Sequence, residues 1–154
     1  MKKTVFSGLL AIMLVFGFIG CDNGTKNGNA DNSIPNEFHG TWVSLHSGYK
    51  ETYIIRADSI TIKAHSVSGT YVPWDYDVNI DTIENVANST LGTKDNYPTG
   101  YMFNTTVTRT ETDNRTLGEK TSFCLFFNDD NQSFCWGRTP NNVFLVFNRQ
   151  EAIE

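Results

Sequence analysis

The chain has 154 residues, 13% of them aromatic, with 17 acidic against 12 basic side chains and a formal net charge of −5. That balance repels nucleic-acid phosphates and anionic lipid headgroups, so neither is expected as an electrostatic partner. The length allows one domain with a real core.

Lys2 and Lys3 form a short positive region, and Val5–Ile19 follows as an apolar run broken only by Ser7, Gly8 and Gly17. A membrane span needs about 20 apolar residues, so the run is short for one and has the anatomy of a secretory signal. It ends Phe18-Ile19-Gly20-Cys21, a small residue directly before a cysteine, and a polar stretch comes next. These residues resemble a bacterial lipoprotein signal of the relaxed, spirochaete type, with Phe18 and Ile19 where Leu and a small residue are usual. The resemblance implies a signal peptide over residues 1–20, lipid on Cys21 and a mature chain of 134 residues. It also implies a protein of the cell envelope, anchored at the inner or outer membrane, with its domain facing the periplasm or the exterior. More than one acyl chain on Cys21 gives stable anchoring, where a single chain is marginal. Loss of Lys2 and Lys3 leaves ten basic against seventeen acidic residues, a net charge of −7, so the lipid is the expected attachment to the membrane. An ordinary secretory signal and a single anchor helix are the alternatives.

Residues 21–36 read as the lipidated cysteine and a flexible tether. Asp22–Asn36 is rich in Gly and Asn, with Ile34 its one large apolar residue. Such a segment buries too little surface to order itself, and as a coil it spans about 20 Å.

From Glu37 the strand formers Val, Ile, Thr, Tyr and Phe dominate, and no amphipathic helix is evident. The expected strands are Thr41–His46, Tyr49–Ala57, Ile60–Ser66 and Thr70–Ile80, with Pro73 a bend or edge. A weak run, Thr82–Ala87, precedes the loop Asn88–Thr99; Tyr101–Thr110 precedes the loop Glu111–Glu119. Lys120–Phe127, Gln132–Trp136 and Val143–Asn148 complete the set. The prediction for residues 37–154 is an all-β domain, a small antiparallel meander of eight or nine strands. Closing it into an up-and-down barrel removes its exposed edges.

Phe38-His39-Gly40-Thr41-Trp42 resembles the opening of lipocalin and fatty-acid-binding-protein domains, the calycins, where Gly-x-Trp begins the first strand. The resemblance implies that Trp42 plugs the barrel floor and that Arg149, at the end of the last run, packs over its ring. The alternative is a core Trp in some other β sandwich or barrel.

Cys124 and Cys135 fall on one predicted hairpin. If Asn128 and Asn131 face each other across Asp129-Asp130, the two cysteines stand directly opposite. An extracytoplasmic location then favours a disulfide, which would stabilise the fold by about 2–3 kcal/mol. A reduced pair is the alternative. The same alternation puts Phe123, Leu125, Phe127, Phe134 and Trp136 on one face, the expected core, and Ser122, Cys124, Phe126, Ser133 and Cys135 on the other.

No motif carries catalysis, and the chain reads as a binding protein rather than an enzyme. Asp75–Asp81 resembles a calcium loop, but Ile80 and Val86 stand where an EF-hand needs Gly and Glu, so a strand with Tyr76, Val78 and Ile80 inward fits better. Ser47-Gly48-Tyr49-Lys50 matches a penicillin-enzyme motif, but in a turn instead of a helix, with no Lys-Thr-Gly. His39, His46 and His65 are too scattered for a metal set, although His39 and His46 both approach a barrel end. No metal and no cofactor is expected. The function implied is binding of a small apolar or amphipathic ligand among inward aromatics, with Tyr53, Tyr76, Tyr101, Phe103, Phe123 and Trp136 as wall residues. The second expectation is a surface-interaction or envelope lipoprotein with a filled barrel, its partner an envelope or host protein.

Overall fold

A computed structural model describes residues 33–150, Thr70 excepted. The signal segment, Cys21 and nearly all of the tether lie outside the described residues.

Eight antiparallel strands close into one barrel in sequence order: β1 Gly40–His46, β2 Tyr49–Ile55, β3 Ser59–Ser66, β4 Trp74–Ala87, β5 Thr99–Thr110, β6 Lys120–Phe127, β7 Ser133–Thr139 and β8 Asn142–Arg149. The weak run Thr82–Ala87 is therefore no ninth strand; it is the second half of β4. The register against β5 shifts between Ile80 and Thr82, which leaves Asp81 as an extra residue. A bulge of this kind reverses the inward phase. Tyr76, Val78 and Ile80 point inward before it and Ile83 after it, and all four join the same core.

The inward residues of each strand fill the lower barrel. Tyr53, Phe103, Phe123, Phe134 and Phe147 are at most 4% exposed. Tyr53 meets Phe147 edge-on at 4.7 Å, and Phe134 stacks on Phe147 at 4.8 Å. The floor is closed by the 3-10 turn Asn36–Phe38. Phe38 stacks on Phe127 at 3.9 Å, and the fully buried Trp42 donates from its indole N–H to the Phe38 carbonyl at 3.1 Å. Arg149 is the register partner of Trp42 across the β1–β8 seam. Its guanidinium lies 5.0 Å from the Trp42 ring centre and donates to the Glu37 and His39 carbonyls at 2.8 and 2.7 Å. The folded body also begins earlier than expected. Ile34 is 2% exposed in the core, and its N–H donates to the Ala57 carbonyl, so the last residues assigned to the tether belong to the floor.

The paired-cysteine expectation is corrected. Phe126 faces Cys135 and Cys124 faces Gly137, so the cysteines are not opposite, and both thiols are free. A two-residue Asp129-Asp130 turn would need positive φ at the first position or at both, which suits Gly or Asn-Gly better than Asp-Asp. The chain instead spends four residues, Asp129–Gln132. Only Asn131 takes positive φ, 55°, and the Asn128 side chain accepts from the N–H groups of Gln132 and Ser133. A slip of two residues keeps every side chain on its face, so the face assignment holds while the pairing fails. The outer face is buried as well. The β4–β5 loop folds over Cys124, Phe126 and Cys135 with Tyr97, and Ser89 and Thr90 of that loop donate to the Pro140 carbonyl. Burial pushes both thiols up to about 11.

Removing the floor indole leaves a cavity under the seam. Trp42→Ala is expected to cost about 3–5 kcal/mol in urea unfolding. A loss under about 1 kcal/mol would mean that Trp42 is not a floor residue.

Candidate ligand-binding site at the barrel mouth

The end opposite the floor is open. There the strands surround a cavity of about 490 Å³. β2 supplies Glu51 and Tyr53, β4 supplies Trp74 and Tyr76, β7 supplies Trp136, and β8 supplies Phe144 and Leu145. His46 from the end of β1, Asn114 and Arg115 from the β5–β6 loop, and Arg138 complete the rim.

Strand alternation sets this lining. Glu51, Tyr53 and Ile55 share one phase of β2, so the phase that buries Tyr53 also carries Glu51 inward. Glu51 is 5% exposed, and its Oε1 lies 3.2 Å from His46 Nε2. The imidazole nitrogen makes no well-aligned hydrogen bond there, so the contact is an ion-pair distance only. Burial raises the Glu51 pKa above its ordinary value, and the His46 ring offsets part of that rise. Burial likewise raises the Tyr53 and Tyr76 phenols, and Arg115 opposes the rise at both.

Arg115 is brought in by its loop. Gly118 takes a φ of 80°, which favours glycine, and lets the chain turn back so that its N–H reaches the Val107 carbonyl. Glu119 holds Arg115 at 2.6 Å and accepts from the Thr116 N–H. The guanidinium then sits 5.2 Å from the Tyr76 ring centre. Asn114 of the same loop donates to the Pro73 carbonyl, which ties the two rim loops together. Below the rim on the outer wall, Arg109 grips Asp75 at 2.5 Å and Asp77 at 2.7 Å. Partial burial pushes these two carboxyls up, but Arg109, joined by Lys63 at Asp75 and by Thr61 and Arg56 at Asp77, outweighs it and holds both below the usual range. Of the acids that resemble a calcium loop, Asp75 and Asp77 are thus committed to Arg109, and Asp81 to Lys120 and Thr106.

Besides His46 Nε2, one more group at the cavity is left without a hydrogen-bond partner. The buried Trp136 indole N–H has no acceptor among the described residues. An unpaired buried donor beside a cavity is a place for a ligand oxygen. Trp136 is otherwise held edge-on to Phe144 at 5.1 Å.

Of the expected wall residues, Tyr53, Tyr76 and Trp136 meet at this cavity. Phe103 and Phe123 are packed in the core below it. Tyr101 lies at the floor end, 5.6 Å from Phe38, against a separate surface depression of about 530 Å³. Sequence reasoning passed over Glu51 and Trp74, whose signal was alternation with Tyr53 and Tyr76. Arg115 carries no such signal, because a loop position follows no period; Arg138 lies two residues beyond Trp136 on β7, past the register shift at Gly137.

The chain matches no protein-family model, no curated protein and no solved structure. Among the described residues no helix is long and apolar enough to cross a membrane.

The folded state raises the pKa of Glu51, so between 4.5 and the raised value it binds the proton that the unfolded chain has released. Stability from this group therefore falls as pH rises through that window. Asp75 and Asp77 act oppositely; their contribution is present above 3.8 and is lost as pH falls through their lowered values. Glu51→Gln is expected to raise the melting temperature at neutral pH by about a few degrees and to lose that advantage in acid below 4.5. A lower melting temperature at neutral pH would show that the Glu51–His46 contact stabilises the fold on balance.

Proposed function

We propose that this chain is a lipid-anchored binding protein of the cell envelope, lipocalin-like in architecture, that holds a small amphipathic ligand in its mouth cavity. The observation that carries the reading is a cavity of about 490 Å³ walled by the rings of Tyr53, Trp74, Tyr76 and Trp136, above a core that is filled. Ligand sites are commonly clefts of roughly 300–1,000 Å³ with a few convergent polar groups. Here the apolar part of the ligand rests on Tyr53, Trp136 and Leu145, and its polar part meets the ionisable groups of the rim. The lipid on Cys21, supported by the Gly20-Cys21 signal, holds the acidic domain at a membrane surface.

A second reading, a surface-interaction lipoprotein, is favoured by one feature. The β1–β8 seam has two register pairs only, Trp42 with Arg149 and Val43 with Asn148. Beside the unpaired stretch, Leu45 and Val146 are 72% and 41% exposed, an apolar edge suited to a protein partner.

Native mass spectrometry of the protein extracted from its own host's envelopes tests these readings together. The expected mass is the chain from Cys21 plus its acyl groups, with a small molecule released on collisional activation. An unmodified Cys21 overturns the anchor. Repeated absence of any small molecule, with a protein partner retained instead, overturns the carrier and favours the second reading.

A further inference from the structure

Given the reading of the mouth cavity as a ligand site, its charge pattern names the class of ligand. Glu51 brings a carboxylate to the cavity with its side chain 6% exposed, and among the described residues His46 is its one ion-pair partner. Rings of Tyr53, Trp74, Tyr76 and Trp136 wall the same space. A buried carboxylate among aromatic faces favours a cation twice, through a charge-assisted hydrogen bond and through the ring quadrupoles. An anionic head would set like charge against Glu51 where screening is weak. A neutral head would displace water from the carboxylate and return no charge.

The two arginines at the cavity do not reverse this preference. Arg115 is matched by Glu119 at 2.6 Å and lies over the Tyr76 ring. Arg138 is exposed at the rim, where water and salt screen it. The charge at depth is that of Glu51.

We propose that the cavity takes an amphipathic amine, with its ammonium on Glu51 and its apolar body against Tyr53, Trp136 and Leu145. The Glu51 carboxylate, which has His46 beside it at 3.2 Å in the free protein, gains a second, fully cationic partner when the amine binds.

Calorimetric titration of the detergent-solubilised full chain with phenethylamine, phenylpropanoate and phenethyl alcohol tests this assignment. The three probes differ in the head group. The amine is expected to bind roughly tenfold or more tighter than either other probe, the size of one charge-assisted hydrogen bond. Glu51→Gln, checked by thermal melting for an intact fold, is expected to erase the preference. Equal binding of the three probes by the natural chain, or an amine preference that survives in Glu51→Gln, overturns the amine assignment and leaves the cavity as a ligand site. Failure of all three to bind overturns the assignment too, and with no co-purifying molecule it overturns the site as well.

Discussion

Barrel closure rests on what lies beneath the β1–β8 seam. Two register pairs join these strands, fewer than at any other junction of the barrel. The floor supplies the rest. Arg149 at the end of β8 reaches across to the Trp42 ring and to the carbonyls of Glu37 and His39, and the Gln150 N–H donates to the Thr41 carbonyl. A planar guanidinium suits this position because it stacks on the indole and donates in a fixed fork at the same time. The indole under the guanidinium is fully buried, so water competes weakly for that face of the contact.

Closure at one end shapes the other. Phe38, Trp42, Phe127 and Phe134 interlock at the floor, and the next layer of Tyr53, Phe103, Phe123 and Phe147 is equally tight. Above that layer the inward positions change character. Around the cavity, Glu51 on β2 and His46 at the end of β1 stand where the layer below has packed rings, and both are too polar to close the space with apolar contact. The cavity sits on strands rather than on loops, which fixes the wall rings. Only Asn114 and Arg115 come from a loop, and hydrogen bonds to Glu119 and Pro73 hold that loop in place.

Much of the barrel was legible in the sequence. Alternation gave the inward face of β4, β6 and β7, and Gly-x-Trp with a basic residue at the end of the last strand marked the two residues that meet at the floor. What escaped depends on long-range pairing. The bulge at Asp81 joins two predicted strands into one, because Thr106 and Lys120 on neighbouring strands bind its carboxylate. The β6–β7 slip depends on an Asn128 side chain that closes a longer turn, and a period-two pattern is blind to a shift of two. The site was half visible. Tyr53, Tyr76 and Trp136 were expected as wall residues, but alternation alone cannot separate a ring that fills a core from one that lines a cavity. Phe103 and Phe123 fill; Tyr76 and Trp136 line. Glu51 was masked by Lys50 and Thr52, which make the segment look like an exposed polar stretch.

The proposed ligand site lies at the mouth and not the floor, and the three tryptophans report on both ends. Trp74 and Trp136 line the cavity, while Trp42 is sealed beneath the core. The direct measurement is the set of three indole N–H signals in a proton–nitrogen correlation spectrum during titration with phenethylamine. With the amine at the mouth, the Trp74 and Trp136 signals are expected to move together and saturate while Trp42 stays fixed. Movement of Trp42 alone, or of none of the three at saturating amine, would contradict that placement.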